Sequence, residues 1–363
     1  MREALSYRAT AEEYKSQAKE LFDAVLADDE SAHERFKWLH PRFRGQPVGA
    51  VRATTLSPAD AQLVIAREYH FENWAELTRF AETVAKGGPV ARFEEAVEAV
   101  VAGDIERLRT MLRDTPDLVR TRSARKHRAT LLHYIAANGV EDSRQRTPPN
   151  AVEIAKLLLE SGAEPDALAD MYDNKCTTMG TLVSSAHPHR AGLQAALAET
   201  LLEYGAKLQG PGSEWQSAAV TALIFGYADT AGVLVNRGAP ADIVTAAGLG
   251  QTDEVRRLLP TSEPAKRHAA LALAAQFGHV ESLRLLLDAG EDPNRYNPDG
   301  FHAHATPLHQ AVFSGNEDVV RILVEHGARM DMKDRVYEGT PLDWAVYGKR
   351  TAVAEYLRER DAR

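Results

Sequence analysis

A short pattern that returns at a fixed interval constrains this chain more than any other feature. Thr306-Pro307-Leu308-His309-Gln310-Ala311 is followed by Gly315, by the apolar run Val319 to Val324, and by Gly327-Ala328. It restarts 34 residues on, from 306 to 340, as Thr340-Pro341-Leu342-Asp343-Trp344-Ala345 and runs to Tyr356-Leu357. A looser copy begins at Thr130-Leu131-Leu132-His133, with Gly139, Leu157-Leu158-Leu159 and Gly162-Ala163 behind it. The closing Gly-Ala pair recurs at Gly205-Ala206 and Gly238-Ala239. The internal glycine recurs at Gly103, Gly226, Gly250, Gly278 and, displaced by one residue, Gly348.

Each part of the pattern answers a physical need. A threonine ahead of an apolar run offers its hydroxyl to the free N–H groups of a helix start, and proline is tolerated at the first helical position. Gly315 suits the tight turn between two helices, and Gly327 ends the second helix where a left-handed backbone is needed. One helix pair cannot cover its own apolar face, so neighbouring copies must stack to make a core.

These residues resemble the ankyrin-repeat family, over roughly residues 92 to 358. The resemblance implies an all-α solenoid of stacked helix-turn-helix units joined by β-hairpin loops. About eight repeats are expected, starting near residues 94, 130, 177, 217, 241, 269, 306 and 340. Residues 91–363 would form the repeat domain and residues 1–90 a small helical N-terminal capping domain. Extra residues fall within the second and third repeats, Asp142 to Asn150 and Pro188 to Gly192, and the first of these reads as a loop. Asn297-Pro298-Asp299-Gly300 has the chemistry of a hairpin turn.

The leader follows other rules. Ala11 to Leu26 reads as an amphipathic helix with Tyr14, Ala18, Leu21, Phe22 and Val25 on one face. Ser57 caps a helix with Pro58 in its first turn, and Phe71-Glu72-Asn73-Trp74 opens another. On Ala61-Gln62-Leu63-Val64-Ile65-Ala66-Arg67-Glu68-Tyr69 this segment is similar to the leader of a set of bacterial ankyrin proteins. That likeness implies a bacterial source and a capping role, with no activity attached.

Composition narrows the function. A net charge of −9 over 363 residues argues against nucleic acid or an anionic membrane as partner, since both need a basic footprint. No apolar run approaches the roughly 20 residues of a membrane span. The single cysteine, Cys176, allows no internal disulfide and suits a reducing compartment, so a cytoplasmic protein is expected. No cofactor motif is present, and a monomer is expected.

Counted from the motif threonine, positions 4, 7 and 8 share one face of the first helix of each repeat. In the family that face lines a concave groove. Here it carries Tyr134 and Asn138, then Ser184 and Ser185, then Phe225, Phe277, Gln310, Phe313, Trp344 and Tyr347. Recurring aromatics suit a groove that anchors a protein or peptide, although rings at these positions can also pack between neighbouring helices. Tyr172, in the long connection from Leu168 to Cys176, joins the same candidate surface.

The competing class is a small-molecule site or unconventional enzyme formed around the insertions, with His133, Cys176 and His187 as its residues. A cysteine nucleophile needs an adjacent base and an electropositive setting. No nucleophile-elbow, phosphate-loop or zincin motif accompanies it. His302 and His304 alternate, and His187 and His189 flank Pro188, but neither spacing is a metal signature, so no metal is expected. Arg122-Ser123-Ala124-Arg125-Lys126-His127-Arg128 lacks interleaved aromatics and reads as a solvated hairpin tip.

Overall fold

The computed structural model describes residues 6, 8–44, 46–136, 145–171, 174–208 and 217–361. They fall into two compact units, Met1–Gly212 and Ser213–Arg363.

The first unit opens with helices Ala11–Leu26, Glu30–Leu39, Val48–Arg52, Pro58–Glu68 and Trp74–Ala85. Their starts are written locally. Thr10 and Glu13 form a reciprocal capping box, Ser57 and Asp60 form another, and the Asn73 side chain accepts the Glu76 N–H. These contacts satisfy N–H groups that lack a partner within the helix. The apolar faces close over one core that contains Tyr14, Leu21, Phe36, Val64, Ile65 and Leu77.

Helix pairs follow. Pro89–Ala102 precedes Ile105–Asp114, His133–Ala136 precedes Ala151–Glu160, and Thr178–Leu182 precedes Gln194–Glu203. Ala169–Met171 and Asn174–Cys176 make an antiparallel hairpin with Ala169 opposite Cys176, the only sheet among the described residues. The insertion at 188–192 is ordered as helix Ala186–Arg190, and the Gln194 amide behind it donates to the Leu182 and Ser185 carbonyls at 2.8 and 3.0 Å. Gly139 and part of the Asp142 to Asn150 insertion lie outside the described residues.

The basic run at 122–128 is not a solvated tip. Arg125 is 0% exposed and lies 3.0 Å from Glu94, which is also 0% exposed. Its guanidinium lies 4.5 Å from the centre of the Phe80 ring and 5.4 Å from that of Phe71. The planar guanidinium can stack on rings while it pairs with a carboxylate, so the leader's aromatics and the first repeat's acid draw it inward together. Lys126 beside it stays at the surface, paired with Glu72 at 2.8 Å.

The second unit repeats one helical hairpin. Ala218–Ile224 leads into Ala228–Asn236, Ile243–Gly248 into Thr252–Leu258, and Pro264–Phe277 into Val280–Asp288. Pro307–Ser314 then leads into Glu317–Glu325, and Pro341–Tyr347 into Thr351–Asp361. The leading helices pack side by side, with Pro264–Phe277 between Ile243–Gly248 and Pro307–Ser314. Closeness is absolute at Gly248, where a Cβ would come within 2.7 Å of Leu223. Both units are mostly helical, and buried apolar side chains run through Leu223, Leu271, Leu283, Leu308, Val320 and Leu323 in the second.

The recurring motif works as stitching. Thr306 Oγ1 and its N–H meet His309 Nδ1 at 2.8 and 3.3 Å, which leaves Nε2 to donate to the Gly339 carbonyl of the next repeat at 3.1 Å. His133 does the same with Thr130 and with the Cys176 carbonyl at 3.3 Å. Gly315 closes its helix with φ +81° and Gly327 has φ +84°. The last repeat departs from expectation: Gly348 has φ −75°, and Lys349 takes the left-handed turn at φ +54°. Lys349 stands nine residues after Thr340, as Gly315 does after Thr306, so register, not residue type, sets where the chain turns.

Candidate functional site

The leading helices of the second unit and the loops between them enclose a groove of about 940 Å³. Phe225, Phe277, Gln310, Phe313, Trp344 and Tyr347 all line it. They come from the ends of four helices because positions 4, 7 and 8 of each leading helix face the same way. Phe225 and Phe313 remain 50% and 49% exposed, and Tyr347 at the rim 84%.

Trp344 is the fixed element of the wall. Its indole N–H donates to Asp334 at 2.9 Å, while the N–H groups of Val336, Tyr337 and Gly339 donate to the same carboxylate at 2.9, 2.6 and 2.9 Å. Burial raises the Asp334 pKa, but these donors, Tyr337 first, outweigh it and hold the carboxyl below its ordinary value. The rings of His309 and Phe313 meet the indole edge-on, with centroids 5.1 and 5.8 Å away. His304 lies 5.9 Å from it on a tilted approach.

His302, His304, Tyr337 and Asp343 also line the groove, although the sequence does not assign them to it. Tyr337 sits in a loop outside the helix pattern, and Asp343 reads as part of the motif. His302 adopts φ +60° and its Nε2 donates to the Ile224 carbonyl at 3.1 Å. The Gln276 amide donates to the same carbonyl at 3.2 Å and to that of Leu223 at 3.0 Å. Burial keeps the His304 pKa below its ordinary value, so the ring is neutral near pH 7. The Thr340 hydroxyl and N–H hold the Asp343 carboxyl below its ordinary value, so it is an anion there.

The candidates in the first unit do not join this surface. Tyr134 is buried, with its ring edge-on to Phe93 and His127. Ser185 is buried as well, and the Ser184 hydroxyl is 3.2 Å from the Thr181 carbonyl. Neither Tyr134 nor Ser185 can present its side chain to a partner from there. Asn138 and Tyr172 lie outside the described residues.

The set His133, Cys176 and His187 does not form a nucleophile and base. His133 Nε2 reaches the Cys176 carbonyl, not its thiol, and the thiol points toward the Met171 carbonyl at 3.7 Å. Burial raises the thiol pKa above its ordinary value and pushes His133 down to about 4, so one holds its proton and the other lacks one near neutrality. Among the described residues no three His, Cys, Asp or Glu side chains gather as a metal would require, and no helix is long and apolar enough to cross a membrane.

Stacked helical hairpins, with the motif histidines His133 and His309 bonding across to the following segment, define a helical-repeat protein. Comparison with known proteins identifies the repeat: residues 295–363 match the family model of ankyrin repeats (3 copies), and residues 267–298 match the model of a single ankyrin repeat. Residues 267–363 are therefore ankyrin repeats, at the C-terminal end of a mostly helical chain. The chain is 37% identical over 76 residues to mouse Ankyrin repeat and SOCS box protein 6, a match covering 21% of this chain and 18% of that protein. It is 32% identical over 113 residues to mouse Ankyrin repeat and SAM domain-containing protein 6, covering 30% of this chain and 12% of that one. With mouse Protein phosphatase 1 regulatory subunit 12A it shares 41% identity over 75 residues, 19% of this chain and 7% of that one. The chain thus spans less than a fifth of the length of these relatives.

Proposed function

We propose that the groove of the second unit binds an extended segment of a protein partner. The observation that carries the reading is the convergence of Phe225, Phe313 and Tyr347, large side chains 49% exposed or more, on one groove. Apolar rings left wet on a folded surface mark interaction sites, and rigid aromatics anchor interfaces at low entropic cost. Ankyrin repeats are protein-interaction modules, which agrees with it. In this reading residues 1–90 act as the helical cap of the array that follows. The contact surface narrows to the second unit, because Tyr134 and Ser185 are buried. The protein works as a cytoplasmic monomer.

The test is selection of random dodecamer peptides on the full chain, followed by titration against groove variants. Peptides selected on the wild type should lose about 1–3 kcal/mol of binding to Phe313→Ala and to Phe225→Ala. Selected peptides that bind both variants as well as the wild type would place the partner elsewhere and end this reading.

A further inference from the structure

The groove is not merely apolar, and its polar atoms are unevenly distributed. Among the residues that line it there is no lysine or arginine, while Asp343 contributes a carboxylate held in its charged form by Thr340. His304 is half-buried, and that partial desolvation holds its pKa below the ordinary value. The wall also carries the rings of Phe225, Phe277, Phe313, Tyr337, Trp344 and Tyr347, and aromatic faces hold negative charge density. A cation is therefore attracted from two sources, the carboxylate and the aromatic faces, and meets no opposing charge on the lining. An anion would meet the reverse.

A second observation concerns Gln310. It is 6% exposed and lines the groove, yet its side-chain amide makes no hydrogen bond to any described residue. Its neighbour across the groove, Gln276, has its amide committed to the carbonyls of Leu223 and Ile224. An amide that lines a groove without a protein partner is available to an occupant. A primary amide offers one donor and one acceptor side by side, which matches the N–H and C=O of a peptide bond.

We propose, resting on the groove reading above, that the occupant is an extended peptide carrying a basic side chain. Its ammonium or guanidinium packs against the Phe313, Trp344 and Tyr347 rings with Asp343 as counter-charge, and its backbone pairs with the Gln310 amide. Asp334 takes no part, since four N–H donors already occupy it.

The experiment uses the full chain and immobilised dodecamer libraries that differ only in one fixed central residue: lysine, arginine, norleucine or glutamate. Lysine and arginine libraries should bind about five- to thirtyfold tighter than norleucine, with glutamate weakest. The preference should shrink as salt rises from 0.05 to 0.5 M, through screening. Asp343→Asn, checked for unchanged circular dichroism, should reduce the preference over norleucine while leaving norleucine binding in place. Gln310→Leu should weaken all four libraries alike. Norleucine binding that is sensitive to Phe313→Ala but equal to lysine and arginine would overturn the cation proposal and leave the groove reading intact. Salt-independent preference in the wild type would overturn it too, without recourse to any variant. If no library binds in a Phe313-dependent way, both readings fall. Self-association that Phe313→Ala abolishes would make the occupant a second copy of the chain and overturn the peptide.

Discussion

Glu94 and Arg125 face each other at 3.0 Å with neither side chain touching solvent. Two charges in a dry interior bind each other strongly, but each has given up its hydration to be there. The pair therefore contributes less than the removal of one partner costs. Glu94→Ala or Arg125→Ala should each destabilise the first unit by about 3–5 kcal/mol. Replacing both by apolar residues of similar size, as Glu94→Leu with Arg125→Met, should cost less than either single change. Urea midpoints of the four proteins decide it, and a double variant that loses the sum of the singles would count against a coupled buried pair.

Acid should act on the first unit through His133. The ring is neutral in the fold because burial pushes its pKa to about 4 from 6.5. Above pH 6.5 both folded and unfolded forms carry the neutral ring, and stability is at its full value. Between 6.5 and 4 only the unfolded chain takes up the proton, so stability falls, by on the order of 3 kcal/mol in all. His133→Asn should be less stable at pH 7 and lose less on going to pH 4.5. Parallel pH profiles for the two proteins would show that the ring is not the titrating group.

Two left-handed turns test backbone strain in opposite directions. At Gly327 a Cβ would meet nothing within 4 Å, so Gly327→Ala adds only the strain of a left-handed backbone. It should cost about 1 kcal/mol. Lys349 already bears that strain at φ +54°, so Lys349→Gly should be neutral to stabilising by up to about 1 kcal/mol. Thermal midpoints that move the same way for both would contradict the assignment.

Trp344 and Tyr347 line the same groove and should respond differently to truncation. Trp344→Phe breaks the bond to Asp334 and leaves a carboxylate with one donor fewer, at a cost of about 1–3 kcal/mol. Tyr347→Ala removes a ring that is 84% exposed and should change stability by no more than about 0.5 kcal/mol. Equal losses in chemical denaturation would mean that the rim ring is structural as well.

Features whose cause lies within one helical turn could be read from the chain itself. Thr306-Pro307-Leu308-His309 announces a helix start because the imidazole three residues on reaches back to the threonine's hydroxyl and N–H, and proline suits the first turn. The helix Ala11–Leu26 and the cap at Ser57 are legible for the same reason. The groove-facing aromatics of the later repeats follow from helix periodicity. What could not be read depends on who arrives from a distance. Arg125 looks like any surface arginine until Glu94, Phe71 and Phe80 surround it. Tyr337 enters the groove because Asp334 folds its own loop around three N–H groups, an arrangement with no periodic signature. Tyr134 occupies a motif position that usually faces outward, and Phe93 and His127 pack against its ring in the interior.

The Ile224 carbonyl receives both Gln276 and His302, and so joins the repeat that starts near 217 to the one that starts near 269. The short hairpin Ile243–Gly248 with Thr252–Leu258 is passed over by these bonds. A stack held only by adjacent contacts stretches like a spring, each coil yielding a little. Here one side is laced across a coil, so straightening the second unit must break three side-chain bonds made by Gln276 and His302. Pulled from its ends, this segment should resist as a single block, and the coils beyond the lacing should be the first to yield.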